Sequence, residues 1–258
     1  SPDIIYYPSL GMSHWTIYLA NMRLAPMQFM SCGHPESSFS KTIDFIFTGA
    51  IIPGVEDKVS ENLLMSEELR YFAAKHSAID KFTINTSKHG DGRTHIALNC
   101  AAMKISSEFV SALKRIKAEL GDSVKFHFFP AGHGIFNDGY RASLYRLFPD
   151  AIVYSSMPYE QFLNKIAACH FCMSPFPFGN TNSTVDAILI GVPVVILKGY
   201  EIASYCDYMI TETFKLSDIL ICETVDEYVR KAISLAKDKE MNASYHQRVA
   251  QVNAMSYF

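Results

Sequence analysis

The sequence predicts an α/β protein whose C-terminal part is a Rossmann-like domain built on a parallel sheet. Two observations favour this class. Apolar strand segments alternate with helix segments of about 10 to 15 residues, which is the pattern of βαβ crossovers. The 258-residue chain is also 49% hydrophobic, which suits the core of one large domain or two small ones. Because such crossovers are right-handed, we expect helices on both faces of the sheet.

Residues 1–52 are predicted to be the end of a preceding α/β domain. The segments DIIYYP and MQFMS are predicted strands, and KTIDFIFTGAIIP a further strand pair. Between the first two strands, Trp15, Tyr18, Leu19 and Met22 recur at helical spacing. These elements are too few to close a domain, so we expect a further segment upstream of residue 1.

Residues 53–92 are predicted to be a linker region, because they are polar and irregular. Within them, ENLLMSEELRYFA is a predicted short amphipathic helix. The Gly- and Asp-rich run HGDGR near the end of the region is a strong boundary signal. We therefore predict a second, Rossmann-like α/β domain over residues 93–258.

The second domain shows regular helix and strand signals. SSEFVSALKRIKAEL is a predicted helix, because apolar residues share one face, a Ser lies in the N-cap region and Gly121 follows the end. The predicted strands are HIALNC (95–100), VKFHFF (124–129), AIVY (151–154), HFCMSPF (170–176) and VPVVILKG (192–199). The other predicted helices are PYEQFLNKIAAC (158–169), NSTVDAILIG (182–191), DEYVRKAISLAK (226–237) and MNASYHQRVAQV (241–252).

The composition argues against several classes of function. A net charge of -3 without Lys/Arg clusters argues against binding to a nucleic-acid backbone. No run approaches the roughly 18 apolar residues that span a bilayer, and no signal-peptide pattern is seen, so we expect a soluble, cytoplasmic protein. Cys169 and Cys172 form a CxxC, but no partner pair at zinc spacing follows, which favours buried thiols over a metal site. His170 is then most simply a strand residue with one hydrogen-bonded nitrogen.

Four strand-end loops are candidates for a ligand site, because parallel sheets bind ligands beyond the carboxyl ends of their strands. The loop at 179–182 opens a helix whose N-terminus suits a phosphate, and Asp186 follows one turn further in, where it can accept from ribose hydroxyls. Lys104 supplies a positive charge and His133 lies among glycines. The alternatives are an ordinary capped turn, a solvated lysine and a turn histidine. The candidate residues of these loops are Lys104, His133, Ser156, Gly179, Asn180, Thr181, Asn182 and Asp186.

One run resembles a known family. PFPFGNTNSTVDAILIGVPVV is similar to the signature of the C-terminal catalytic half of bacterial cytoplasmic protein N-glycosyltransferases, the adhesin-glycosylating branch of glycosyltransferase family 41. Further matches follow in order over nearly the whole chain: YPSLGM (7–12), LANMRLAPMQ (19–28), GHP (33–35), AAMK (101–104), MPYEQFL (157–163) and TVDEYVRKAISLA (224–236). A weaker similarity to the O-GlcNAc transferases is seen in RLAPMQ and in the turn near Glu201.

The resemblance implies a GT-B fold, of which this chain would hold the C-terminal half and the tail end of the N-terminal half. It implies transfer of a hexose such as glucose from a UDP-sugar substrate to Asn in Asn-X-Ser/Thr sequences, without a metal ion or resident cofactor. The acceptor would be a polypeptide such as a secreted adhesin. By the same match Lys104 and the loop from Asn180 to Asn182 would contact the diphosphate, and Asp186 would hold the ribose.

Three departures from the family pattern bear on the site. His133 stands where the family has an Asn, and Ser156 stands where it has a His. The turn after LKGYE carries Ile202, Ala203 and Ser204 in place of family histidines. These changes permit an alternative, a catalytically silent module that binds UDP-sugars or a partner. A GT-B enzyme acting on a glycan or lipid is disfavoured, because a basic amphipathic membrane face is lacking.

His34 in the GHP turn is the one candidate catalytic residue, as a group on the acceptor side of the cleft. The alternative is a turn imidazole that binds a backbone carbonyl. No side chain is a convincing general base, so we expect activation of the acceptor by residues upstream of this chain. The chain alone is then expected to bind nucleotide without turnover.

Overall fold

Two parallel sheets carry the fold in the computed structural model, which describes residues 2–48, 52, 54–66, 82–130 and 135–252. The first sheet has the strand order β1-β2-β3-β4, and every neighbouring pair is parallel. Its strands are β1 (Ile4–Tyr7), β2 (Met27–Ser31), β3 (Phe45–Thr48) and β4 (Asn62–Met65), with helix α1 (His14–Ala20) between the first two. Tyr7, Met30 and Ile46 form the centre of its core.

The second sheet is six-stranded, with the order β10-β9-β8-β5-β6-β7 and parallel pairing throughout. Its strands are β5 (Thr94–Leu98), β6 (Val124–Phe128), β7 (Ile152–Val153), β8 (Phe171–Met173), β9 (Val194–Leu197) and β10 (Ile221–Cys222). Its helices are α2 (Ser107–Leu120), α3 (Ile135–Leu147), α4 (Tyr159–Ala167), α5 (Asn182–Leu189), α6 (Ile202–Thr213), α7 (Ser217–Leu220), α8 (Val225–Lys237) and α9 (Lys239–Ala250). Apolar clusters pack against both faces of this sheet, as parallel strands require.

Helix α2 shows how local signals set the elements of the second sheet. The Ser106 hydroxyl accepts a hydrogen bond from the Phe109 amide at 3.0 Å, which satisfies one donor of the first turn. Phe109, Leu113 and Ile116 are fully buried, and each buried side chain of this size contributes about 1.5 to 3 kcal/mol. Gly121 ends the helix at a φ of 55°, a conformation that glycine adopts at little cost.

Several sequence-based expectations need correction. Residues 62–65 form a strand rather than the start of a helix, because they pair in register with β3, Phe45 opposite Asn62; the rest of that expected helix lies outside the described residues. This strand falls inside the segment predicted to be a linker. The expected strand pair at 41–53 gives one strand, β3, in the part that the structure describes. Helices α3 and α6 were not predicted.

Contacts between the two sheets fix the cleft that separates them. Ile52 and Val55 pack against Ile202 and Tyr205 of α6 in a shared apolar cluster. Beside this cluster, Lys58 Nζ lies 3.0 Å from a carboxylate oxygen of Glu201. Loops that follow strands of both sheets therefore face each other across one cleft. None of the described helices combines the length and hydropathy required to cross a membrane.

Candidate functional site

The strand order places the candidate site at a topological switch point. β5 has β6 on one side and β8 on the other. From β5 the chain continues toward one edge of the sheet through β6, and from β8 it continues toward the opposite edge through β9. The loops that follow β5 and β8 therefore diverge and leave a crevice between them. Ligands of doubly wound sheets bind at such a crevice. The loop after β5 carries Lys104, in the short helical turn Ala102–Lys104, and the loop after β8 runs through Gly179 to α5.

Lys104 bridges the two loops. Its Nζ donates a hydrogen bond to the Gly179 carbonyl oxygen at 2.8 Å and lies 4.8 Å from the centre of the Phe178 ring. Burial lowers the pKa of Lys104, and the nearby Asp207 carboxylate opposes that shift. The side chain is thus a half-buried cation held at the start of the loop at 179–182, and not a solvated surface lysine.

Asp207 of α6 holds this loop in place through hydrogen bonds. The buried carboxylate accepts hydrogen bonds from the amides of Asn180 at 2.9 Å and Thr181 at 2.6 Å. It also accepts from the hydroxyls of Ser174 and Thr184. Thr181 has a φ of 54°, which is rare for a β-branched residue, and the bond from its amide to Asp207 holds that conformation.

This arrangement changes which donors face the cleft. We expected free amides along the whole loop, but those of Asn180 and Thr181 are used by Asp207. The amides of Asn182 and Ser183 open α5, and neither has an acceptor among the described residues. The positive end of the helix therefore offers two donors, next to Lys104, to a ligand in the cleft.

The cleft between the sheets has a volume of about 350 Å³. It is lined by residues from both sheets, among them Met12, Gly33, His34, Met103, Lys104, Phe178, Asn180, Thr181 and Asn182. Gly11 in YPSLGM leaves room for the His34 ring, because a Cβ there would lie 2.5 Å from it. Gly11 thus permits His34 to occupy its position on the wall of the cleft.

His34 faces the cleft from the first sheet. Its ring centre lies 6.3 Å from that of Phe178, and its imidazole makes no hydrogen bond to the residues that the structure describes, so no carbonyl-bound turn imidazole is seen there. Burial lowers the pKa of His34, and the positive charge of Lys104 lowers it further. The imidazole is therefore neutral at pH 7 and can accept a proton.

A second hollow, of about 250 Å³, lies beyond the end of β7. Its lining consists of Phe129, Ser155, Ser156, Met157, Tyr159 and Phe162. The Tyr159 hydroxyl donates to Oδ1 of Asp186, and burial together with that carboxylate raises the pKa of Tyr159. Since α5 begins at Asn182 and carries Asp186 one turn later, this helix joins the cleft to the hollow.

The predicted residues thus fall into two groups. Lys104, His34 and the 180–182 loop meet at the cleft, with Gly179 bound to Lys104. Ser156 lines the hollow, and Asp186 accepts a hydrogen bond from Tyr159 of that lining. His133 lies outside the described residues. Sequence reasoning missed Asp207 and Tyr159; the signal for Asp207 was a single charge within the apolar run IASYCDYMI, a place where an acidic residue needs partners.

Two parallel sheets with a ligand-sized cleft between them, the second doubly wound around a switch point, define the GT-B fold of glycosyltransferases. A mutant O-GlcNAc transferase of Thermobaculum terrenum superposes on 99% of this chain and 49% of its own, with a TM-score of 0.79 at 17% identity. WaaG, a glycosyltransferase of lipopolysaccharide biosynthesis, matches 94% of this chain and 78% of its own, with a TM-score of 0.51 at 8% identity. These likenesses show the fold alone.

The sequence is similar to a protein of defined activity. It is 29% identical, over 98% of its length, to a UDP-glucose:protein N-beta-glucosyltransferase of Actinobacillus pleuropneumoniae serotype 5b. The corresponding protein of serotype 7 matches equally. The chain spans 41% of the length of these curated relatives. No protein-family model matches the sequence.

Proposed function

We propose that the protein is a UDP-sugar-dependent glycosyltransferase that moves a hexose, glucose in the first instance, to the side-chain amide of Asn in Asn-X-Ser/Thr sequences. The observation that carries this proposal is the similarity to UDP-glucose:protein N-beta-glucosyltransferases over 98% of the chain. The convergence of Lys104 and the start of α5 at a switch point supports it. We further propose that the acceptor is a polypeptide such as a secreted adhesin, and that the reaction occurs in the cytoplasm.

In the proposed donor complex, Lys104 and the amides of Asn182 and Ser183 contact the diphosphate. Asp186 accepts from the ribose hydroxyls, and the hollow lined by Phe129 and Phe162 takes the base, with Ser156 at its rim. His133 is assigned to the diphosphate side by its place in the loop after β6. Lys104 follows β5 and the two amides open α5, so we expect these groups to meet a diphosphate with little rearrangement.

The transfer forms a bond from the Asn amide nitrogen to the anomeric carbon and breaks the bond from that carbon to the UDP oxygen. Negative charge develops on the leaving diphosphate, where the half-buried ammonium group of Lys104 and a helix N-terminus stabilise it. We propose these groups as the counter-charge for a reaction without a metal ion. The neutral imidazole of His34, on the opposite wall, is the candidate acceptor for the amide proton.

Lys104→Met tests the donor site. The variant keeps an apolar stem against Phe178 but removes the charge, and a hydrogen bond between charged groups is worth about 1.5 to 3 kcal/mol. We expect UDP affinity in calorimetry to fall by about 10- to 150-fold. Lys114→Met, on the exposed face of α2, is the matched control and should bind UDP as the parent protein does. Unchanged affinity of the Lys104 variant would refute the assignment.

A second candidate, a catalytically silent module that binds UDP-sugars, is favoured by two departures from the family pattern among the candidate donor residues. His133 stands in place of a family Asn, and Ser156 stands in place of a family His. Incubation of the full-length protein with UDP-glucose and a sequon peptide separates the candidates by mass spectrometry. The mass gain of one hexose supports the transferase. UDP binding without a mass gain from any UDP-hexose supports the silent module.

A further inference from the structure

A cluster of imidazoles lies away from the proposed donor site. Its members are His89, His95 and His127, and one nitrogen of each lies within 4.8 Å of the others. His95 and His127 are buried on the adjacent strands β5 and β6, while His89 comes from the segment that precedes β5. Three imidazoles gathered from separate segments at one point of a sheet need a physical explanation.

Hydrogen bonds fix how two of these rings present their nitrogens. His95 Nε2 lies 2.7 Å from Oδ1 of Asp91, so this nitrogen carries the proton and donates it to the carboxylate. His95 Nδ1 then carries a lone pair, and it faces His127 Nε2 at 2.6 Å. The other nitrogen of His127 lies 3.0 Å from the Tyr154 hydroxyl. A carboxylate thus orients His95, in the manner common around metal-bound histidines.

His89 is the third imidazole of the cluster, and one of its ring nitrogens makes no hydrogen bond to the described residues. Its ring stacks on His95 with ring centres 4.0 Å apart. Its Nε2 is buried and has no hydrogen-bond partner among the described residues. A buried ring nitrogen without a partner costs about 1 to 3 kcal/mol, and such cases in native proteins often mark a bound ion or water.

We propose that His89, His95 and His127 bind a divalent transition-metal ion of the zinc class, in a site separate from the glycosyltransferase cleft. Neutral imidazole is a preferred ligand of such ions. Three histidines leave a fourth, tetrahedral position for water. The ion would tie the 82–93 segment to the second sheet.

Metal binding requires a proton shift on His127 and a rotation of the His89 ring out of its stack on His95, because an imidazole binds a metal ion in the plane of its ring and two nearly parallel stacked rings share no such point. The His127 proton moves from Nε2 to Nδ1, which then donates to the Tyr154 oxygen, so no net proton is released. Two ligands about 2.05 Å from a tetrahedral ion are about 3.3 Å apart, so the bound rings separate from their 2.6 Å contact. An open cleft of about 610 Å³, lined in part by His89 and His170, gives the ion a path to the cluster.

Cobalt titration of the metal-free full chain tests the proposal, because Co²⁺ reports its own geometry. We expect one equivalent to bind with the intense visible absorption of a tetrahedral, nitrogen-ligated ion, and Zn²⁺ to displace it. His89→Phe keeps the stack on His95 but removes a ligand. Since loss of an outer-sphere partner alone costs about 10- to 100-fold in affinity, we expect this variant to bind Zn²⁺ at least about 100-fold more weakly.

His14→Phe is the matched control, since it removes an exposed imidazole at the start of α1, and it should leave the affinity unchanged. Nitrogen-15 spectra of the histidines give a second readout, in which Zn²⁺ moves the His127 proton from Nε2 to Nδ1. Weak octahedral cobalt absorption, or parent-like affinity in His89→Phe, would overturn the proposal. UDP binding is measured on the same samples, so failure of the metal site is distinguishable from failure of the donor site.

Discussion

Replacement of Asp207 by Asn measures how much this carboxylate contributes to the stability of the loop at 179–182. Each carboxylate oxygen accepts one backbone amide and one hydroxyl. An Asn side chain keeps one acceptor oxygen and turns an NH₂ group toward the other pair of donors. The hydroxyl of that donor pair can rotate and accept a hydrogen bond from the NH₂ group. The backbone amide of the pair is left buried and without an acceptor. An unpaired buried donor costs about 1 to 3 kcal/mol, and loss of the charge-assisted bonds adds to it, so we expect a loss of about 3 kcal/mol.

Equilibrium urea unfolding measures this loss as a lower midpoint at an unchanged slope. Asp226→Asn is the matched control, because Asp226 pairs with Arg115 and both side chains are well exposed, at 66% and 48%. Exposed ion pairs contribute about 0 to 1 kcal/mol, so the control should unfold nearly as the parent does. If Asp207→Asn also unfolds within about 1 kcal/mol of the parent, which is the range of an exposed ion pair, Asp207 does not hold the loop.

Two further predictions concern the ribose and the response to acid. Asp186→Ala should bind UDP and 2′-deoxy-UDP equally in calorimetry, whereas the parent prefers UDP; a preference kept by the variant would contradict the ribose assignment. Burial, chiefly, lowers the pKa of five imidazoles, to about 3 for His127 and about 4 for His170. The other three are His34, His89 and His246. The unfolded chain protonates these imidazoles near pH 6.5, whereas the folded protein does not. The free energy of unfolding should therefore fall as pH drops from about 7 to about 5.5. The contribution of His127 alone is up to about 1.4 kcal/mol per pH unit. Urea unfolding across that range checks this, and a flat profile would refute it.

The sequence predicted the elements whose signals are local. Helix α2 has its cap, its apolar face and its terminal glycine within one short segment, and all three occur as expected. Lys104 and the start of α5 were found because both follow apolar strands, and the sheet brings such loops together. The strand order, which places them at the switch point, depends on pairing between distant segments and could not be read from either segment.

The missed elements have weak or misleading local signals. Helix α3 contains Gly139, and a glycine within a helix costs about 1 kcal/mol relative to alanine. The strand at 62–65 lies at the edge of the first sheet, where only pairing with β3 decides between strand and helix. The histidine cluster joins residues from three separate segments, so no spacing rule detects it. Asp207 acts through contacts with residues 23 to 33 positions away.

The internal bonds of the loop bear on how the donor binds. Lys104 donates a hydrogen bond to a neutral acceptor, the Gly179 carbonyl oxygen. Hydrogen bonds to an ionised acceptor are roughly twice as strong as those to a neutral one, so a diphosphate competes well for this ammonium group. Lys104 is already half-buried, and this burial lowers its pKa. Asp207 meanwhile keeps the loop in place and leaves the two amides at the start of α5 unpaired. In the proposed donor complex, Lys104 would then exchange one acceptor for a stronger one on a preformed loop.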